Sequence, residues 1–448
     1  MSTGLNPVTQ SIQDAINLNE QARLLRMQRA WQAYHGDQPR PLRVRQGQPD
    51  DNIIANFSRV IVDKGISFLF GKPVSFAIED EGAQTYLEQM WNANRQATFL
   101  HKLAMHGGIC GHAFVKIVPA AAGAFPRFIT LDPQLVHIET DPDDIETTTG
   151  YRIEWTGTDA QGRPLARRQL HQPKGRGWAI IDQQSPASSS GWITTGETAW
   201  PYPFPAIVDC QNLPCAGEVW GISDLEDDIR GLQGSINFAL SNIGRILRFH
   251  AHPKTWGSGF QAQQLDVAPD QTIVLPSPDA KLGNLEMASD LGSSLELYRR
   301  LREALYEIAR VPEVATGMLT NLGQLSGVAL KVMYAPMTEK TTLKRGTYGD
   351  LLEELNRRAL IIGGQGNYSD IQIHWPDLIP GDEMALAQTA LLYKQVGVSD
   401  DTLMTRLGFD PEMEKKLTAE EQQNTQQLGD QLLGMFEKGV DRGATRPQ

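Results

Sequence analysis

Cysteine is scarce in this chain of 448 residues: Cys110, Cys210 and Cys215 are the only three. An odd, sparse count implies no disulfide framework, and a reducing intracellular setting is the expected one. Long hydrophobic runs are missing as well. No stretch reaches the roughly 20 apolar residues that span a bilayer. The opening MSTGLNPVTQSIQDAINLNE has neither a basic start nor an apolar centre, so it does not read as a signal peptide. Net positive charge is absent too. A formal charge of −12 argues against a protein that grips nucleic acid tightly, because such affinity comes from neutralising phosphates and releasing counterions. What is present is ordinary globular composition, 40% hydrophobic and 21% charged, with length enough for two to four domains.

Catalytic signatures are also lacking. Gly65 is followed after five residues by Gly71-Lys72, which invites comparison with a phosphate-binding loop. Such a loop needs G-x-x-x-x-G-K-[ST], with backbone amides around the phosphates and a hydroxyl on magnesium. Here the spacing is one residue too long, Pro73 stands where the hydroxyl belongs, and the interior ISFLF is bulky and apolar. The segment reads instead as a helix over Asn56–Phe70, ended by Gly71, with Lys72 a solvated charge and Pro73 starting an extended run. HKLAMHGGICGHAF gathers His101, His106, Cys110 and His112, all zinc-ligand types. No second pair completes a structural site, so a helix-to-strand corner with incidental histidines is favoured over a metal. DPDDIE at 141–146 lacks EF-hand spacing and reads as a solvated turn. No G-x-S-x-G elbow or paired nucleophile and base is present. The expectation is no enzyme, no metal and no cofactor.

The organisation is mixed. Helices are expected over 11–34, Asn56–Phe70 and, as one piece, Glu81–Leu103. CGHAFVKIVP and FPRFITLDP read as short strands, and 150–210 as closely punctuated β structure of a small barrel or sandwich. From Ser223 the character changes. Ser223 and Glu226 stand in capping-box spacing, with acids in the first turn where the helix dipole favours them. Leu225, Ile229, Leu232, Ile236, Leu240, Ile243 and Leu247 then form one apolar stripe, on a helix about 40 Å long. Residues 251–290 interrupt with proline, glycine, Trp256 and strand-like DQTIVLP. Another helix runs from Leu291 to Arg310. VPEVATGMLTNLGQLSG carries Glu313 as its only charge, and a long helix comes next over Ser326–Ile362, where Pro336 should introduce a kink. From Pro380 onward acids outnumber bases by twelve to seven. The arginines of RLLRMQRAWQAYHGDQPRPLRVR suit phosphate or, given the overall charge, the acidic surface of a neighbouring subunit.

Taken in order, WQAYHGDQPRPLRVRQ, NIIANFSRVIVDKGISFLFGKPVSF, GISDLEDDIRGLQGSINFALSNIGRILRF, LSGVALKVMYAPMTEKTTLKR and VGVSDDTLMTRLGFDPEMEKKLTAEE resemble the portal proteins (head-to-tail connectors) of tailed bacteriophages, in the branch of long-tailed siphophages. The β segment over 150–205 matches only in character. The resemblance implies an α+β portal fold: mainly helical wing, stem and crown, a small β-barrel-like wing subdomain and a short α/β clip. It implies a wing over 1–220 with its β subdomain at about 150–210, a first stem helix over 221–250, a clip over 251–290 and a second stem helix over 291–310. A tunnel loop over 311–325, a kinked wing helix and following strand over 326–379, and a crown over 380–448 complete the scheme.

The same resemblance implies a homo-oligomeric ring of about twelve subunits at a capsid vertex, a virion component assembled in the host cytoplasm. Double-stranded DNA would pass through it. The terminase large subunit would dock on it, and later a head–tail adaptor, with major capsid and scaffolding proteins as further partners and no membrane. Thr316, Met318, Leu319, Thr320, Asn321 and Gln324 would line the constriction, and Trp256 and Phe260 would make clip contacts. The residues alone agree that two helices bracketing a compact insertion make a stalk with a docking tip. A segment free of Lys and Arg would also let DNA slide. The alternatives are another structural capsid or adaptor protein, or an enzyme of the packaging apparatus.

Overall fold

The computed structural model describes residues 7–47, 49–120, 124–159, 161–186, 191–251, 254–259, 278–285, 291–316, 327–378, 383–407, 414–416 and 418. Two compact units divide the chain, 1–325 with 329–378, and 326–328 with 379–448. The first unit is built on helices. Helix α1, Pro7–His35, ends at Gly36, whose φ of 80° opens a turn in which the Asp37 N–H reaches Gln32 O. Helix α2, Phe57–Phe70, starts where the Asn56 side chain accepts the Arg59 N–H, and it buries Ile61, Val62, Ile66 and Leu69 on one face. The single helix expected over Glu81–Leu103 is two helices, α3 (Glu81–Ala93) and α4 (Gln96–Cys110). The break is made by Asn94 and by Arg95, at φ 52°. The Asn94 amide donates to Met90 O and Pro126 O at 2.9 Å, and its carbonyl accepts the Phe128 N–H at 2.8 Å. Pro126 and Phe128 lie far along the chain, so helical periodicity carries no trace of them.

Two sheets come after these helices. Strand β1 (Ser75–Ala77) is first in the chain and is paired far downstream. Strand β2 (His112–Val118) lies between β3 (Arg127–Leu131) and β9 (Ile207–Gln211), antiparallel to both. The second sheet is an antiparallel meander of β4 (Val136–Thr140), β5 (Thr148–Thr158), β6 (Pro164–Lys174), β7 (Gly177–Pro186) and β8 (Ile193–Trp200), in chain order. The barrel-like or sandwich closure expected for 150–210 is not what forms. Among the described residues β8 does not pair with β4, and the sheet is open. The reason is chemical. ITTGETAW is exposed on both faces up to Trp200, so β8 offers no apolar side for closure. The other end is occupied, since the Arg23 guanidinium of α1 donates to Pro133 O and Val136 O beside β4. Phe114, Val136, Tyr151, Ile153 and Ile207 join the two sheets in a small core of their own.

Helix α5, Asp227–Ala251, is 25 residues long, about 38 Å. It packs along α6, Leu291–Ala309. Between them β10 (Lys254–Ser258) and β11 (Lys281–Leu285) pair antiparallel, with Trp256 opposite Gly283. Helix α7, Gly327–Ile362, runs on through Pro336. Beyond that proline it buries Met337, Tyr348, Leu351, Leu352, Leu355, Ala359 and Leu360. Strand β12 (Gln372–His374) then returns to pair with β1. In the second unit α8 (Glu383–Gln395) and α9 (Asp400–Leu407) pack together, joined by a Lys394–Asp400 ion pair at 3.0 Å.

Candidate functional site

The α5–α6 hairpin is a mounted rod, and its mounting is specific. Gln233, Asn237 and Ser241 recur every four residues on α5 and are almost fully buried. They bond an extended segment of the chain. Gln233 Oε1 accepts the Phe57 and Ser58 N–H groups at 2.9 and 3.2 Å, and its amide donates to Ala55 O at 2.6 Å. Asn237 Oδ1 accepts the Ala55 N–H at 3.0 Å, and Ser241 Oγ the Ile53 N–H at 2.9 Å. Arg245 and Arg248 extend the row onto Asp51 at 3.3 and 2.7 Å. Backbone that is neither helix nor strand needs partners wherever packing shields it from water, and this stripe supplies them to the partly covered Ile53 and Ala55. The apolar stripe was legible in the sequence; this polar one, with the same period on the adjoining face, is the signal that would have revealed the mounting.

The root of the hairpin is denser still. Asp224 precedes α5 and is buried; Lys344 Nζ lies 2.5 Å from Oδ2 and Lys340 Nζ 2.9 Å from Oδ1. Burial alone would raise the Asp224 pKa, but the two ammonium groups outweigh it and hold the carboxyl at about 2. Burial likewise pushes Lys344 below the usual lysine range, against the pull of Asp224. Lys340 also donates to Ala309 O, at the last residue of α6, at 3.0 Å. Ser223 and Glu226 form only half of the expected capping box. Glu226 accepts the Ser223 N–H, while Ser223 Oγ takes the Leu225 N–H and donates to the α4 carbonyls of Gly108 and Ile109. Helix α5 therefore starts later than its cap signal, and Asp224, which the sequence places among dipole-favoured acids, turns into the core.

The glycines of HGGICG explain themselves here. A Cβ on Gly107 would overlap the Tyr348 hydroxyl, and one on Gly108 would come within 3.0 Å of Asp224 Oδ2. Gly111 sits at φ 84°, and a Cβ there would overlap Gly221 O. The four zinc-type side chains do not share a centre. His101 is exposed, His106 lies edge-on to Trp31, Cys110 is buried with its thiol pKa pushed up by burial, and His112 pairs with Asp209 at 2.8 Å. The segment is the helix-to-strand corner expected from its glycines.

The other residues singled out by the sequence divide. Gly71 ends α2 in right-handed conformation, and Lys72, rather than being merely solvated, donates to Asp377 O at 2.8 Å. Asp141–Glu146 form a turn whose Asp141 and Asp144 carboxylates accept N–H groups two residues on. Arg23, grouped with the arginines expected to face a partner, is used internally on Glu20, on carbonyls and over the Trp220 ring at 3.9 Å. Trp256 is 45% exposed on β10, with Gly283 leaving room for its indole. Glu313 is paired with Arg302 at 2.8 Å, and Thr316 closes a short 3-10 turn over Glu313–Thr316. Met318, Leu319, Thr320, Asn321, Gln324 and Phe260 lie outside the described residues.

No helix of the described residues is long and apolar enough to cross a membrane. Among solved structures, the chain is similar to the neck of an empty GTA particle computed with C6 symmetry, at TM-score 0.49 and 14% identity. It is similar also to a chain of the virion of a native gene transfer agent (GTA) particle, at 0.48 and 12%. Each likeness covers 79% of this chain and 90% of the other. No curated protein sequence matches. The sequence-family model described as phage portal protein, SPP1 Gp6-like, matches residues 13–155 and 222–428, and so takes in α5, α6, α7 and the corner on which they are mounted. By that match, over more than half of its length, the chain belongs to the SPP1 Gp6-like family of phage portal proteins.

Proposed function

We propose that this chain is the repeating subunit of a ring of about twelve copies at one capsid vertex, the passage for double-stranded DNA during packaging and ejection. Family membership supports this reading, and one observation carries it to the residues. The α5–α6 hairpin leaves large apolar side chains bare in the single chain: Phe238 51%, Leu247 50%, Leu297 56% and Ile308 48% exposed. On a rod mounted along its other face, such side chains call for a neighbour, and a heterologous contact that closes on itself makes a ring.

In this reading residues 1–220 form the wing, 221–250 and 291–310 the stem, 251–290 the clip, 311–325 the tunnel loop, 326–379 the long wing helix and its strand, and 380–448 the crown. The ring acts passively. Terminase docks at the clip, through Trp256 and Phe260, and a head–tail adaptor later takes its place, while capsid and scaffolding proteins surround the wing. Thr316, Met318, Leu319, Thr320, Asn321 and Gln324 line the constriction. The pairing of Glu313 with Arg302 leaves the described start of that segment without an unpaired charge, which suits a wall that DNA slides past.

Negative-stain microscopy of the purified chain tests the reading. Rings of about twelve with a central hole support it; monomers or small dimers over a range of salt and concentration would overturn it in favour of another capsid or adaptor component. ATP turnover that is lost on Lys72→Ala would instead favour a packaging enzyme.

A further inference from the structure

The arginines of the N-terminal segment do not share one fate. Arg23 is turned inward, and Arg40 pairs with Asp50 at 3.3 Å. Arg43 and Arg45 are exposed and make no ion pair among the described residues, and Val44 between them is 41% exposed. The base of this segment is nevertheless fixed. The Leu42 N–H donates to Asn52 Oδ1 at 2.7 Å, the Asn52 amide donates to Leu42 O at 3.0 Å, and the Asn237 amide of α5 donates to Gln38 Oε1 at 2.6 Å. Two cations and an aliphatic side chain are thus presented outward on backbone that is already ordered, which lowers the entropy cost of a contact.

A face of opposite sign lies on α7. Glu339, Leu343, Gly346, Asp350 and Glu353 recur at spacings of three and four and are all exposed, Leu343 to 48%. None of the three acids makes an ion pair among the described residues. The cations of the same stretch are turned away from them: Lys340 and Lys344 onto Asp224, and Arg345 onto Pro376 O at 2.7 Å. Glycine weakens the interior of a helix relative to alanine, yet a Cβ on Gly346 or Gly349 would meet no atom from another described part of the chain within 4 Å. The room that these glycines leave suits a second backbone lying close against α7.

We propose that the Arg43–Arg45 segment of one copy docks on the Glu339–Glu353 face of α7 in a second copy, with the arginines on the three acids and Val44 beside Leu343. Charge complementarity selects this occupant, since the two patches are of opposite sign and neither is neutralised within its own chain. Different patches on one subunit make a heterologous contact, the kind that closes into a ring. The inference rests on the proposed ring and deepens it. Beside the apolar contact of the stem it supplies a polar one at the wing, which fixes the register of neighbouring copies.

Charge reversal on each side, read by negative-stain microscopy and mass photometry of the purified chain, tests the contact. Arg43→Glu with Arg45→Glu is expected to reduce rings roughly tenfold or more, because like charges then face each other. Its unfolding midpoint should stay at wild type, since both side chains are exposed. Asp350→Lys with Glu353→Lys is expected to behave in the same way. An equimolar mixture of the two variants is expected to restore rings, the variants alternating, because each reversed face then meets its complement. Gly346→Trp fills the open space and is expected to stop ring formation without lowering stability. Should a reversed variant fail to fold, Arg43→Gln with Arg45→Gln is expected to reduce rings to a smaller degree. Rings of wild-type abundance in the arginine variants, in the reversed α7 variant or in Gly346→Trp overturn the contact, and so does a mixture that stays unassembled. Absence of rings from the wild-type chain would overturn the functional reading and this contact with it, whereas wild-type rings that survive reversal would overturn this contact alone.

Discussion

The two ends of the α5–α6 hairpin are held in opposite ways. At the root, Asp224, Lys340, Lys344 and the carbonyls of Gly108, Ile109 and Ala309 form one buried network, fitted into space that Gly65 and Gly108 leave empty. At the tip, two five-residue strands pair with each other, and Trp256 covers Gly283 while remaining 45% exposed. The root fixes direction, because its charged groups are tied to other helices. Among the described residues the tip strands pair with each other, so side chains on that strand pair can change without disturbing the charged network at the root. Substitutions should therefore separate, with stability effects at the root and association effects at the tip.

The largest effect is expected at Asp224. Asp224→Asn leaves Lys340 and Lys344 buried without a counter-charge, and denaturant unfolding should show a loss of about 3–5 kcal/mol. The wild type predicts the same contact from its acid limb. The Asp224 carboxyl is held at about 2 in the folded chain against an ordinary 3.8. A lowered carboxylate pKa stabilises above the ordinary value, and the contribution is lost as pH falls through the folded value. About 2 kcal/mol should thus disappear between roughly pH 4 and 2. Subtracting the Asp224→Asn curve from the wild-type curve isolates this part, since other acids such as Glu20 cancel. A difference independent of pH in that window would break the assignment.

Gly107→Ala comes next. The new methyl would overlap the Tyr348 hydroxyl, and overpacking of this kind costs about 1–3 kcal/mol. Tyr348→Phe removes the oxygen, whose hydrogen bond to Asn212 is long at 3.4 Å. The double variant should recover most of the loss in the same unfolding measurement. Failure to recover would mean that the backbone of α4, not the hydroxyl, sets the fit.

These residues also mark how far the sequence could be read. Helices and strands follow from local periodicity and punctuation; α1, α2, α6 and α7 lie close to where their stripes and end signals put them, and α5 follows its stripe but starts later than its cap signal. The corner at 106–111 was legible because glycine density is itself local. The break at Asn94, the burial of Asp224 and the openness of the β4–β8 sheet were not. Each depends on partners far along the chain: Pro126 and Phe128 for Asn94, two lysines of α7 for Asp224, Arg23 beside β4. Lys340 and Lys344 stand four apart, as a solvated face would have them, and nothing local tells the two cases apart. Of the residues proposed for the channel, only Thr316 lies within the described chain, and its reading still rests on family resemblance.

A smaller effect, of opposite sign, is expected where α6 ends. Arg310 takes the left-handed conformation that glycine adopts at no steric cost, and its N–H bonds to Glu307 O. Arg310→Gly should raise stability by about 0.5 kcal/mol by relieving that strain. A loss instead would show that the arginine side chain contributes a contact worth more than the strain.

The smallest effect on stability is expected at the tip, and there it is the contrast that matters. Trp256→Ala removes an indole packed mainly over Gly283, on a strand pair remote from the buried network, so unfolding should shift by no more than about 0.5 kcal/mol. Association should respond differently. Aromatic side chains concentrate binding energy in interfaces, so if the tip is where the packaging motor and then the adaptor dock, the same substitution should weaken capture of those partners at least tenfold while rings still form. Unchanged capture would remove Trp256 from the docking surface. A large loss of stability would refute the comparison itself, since the tip would then be tied to the body as firmly as the root.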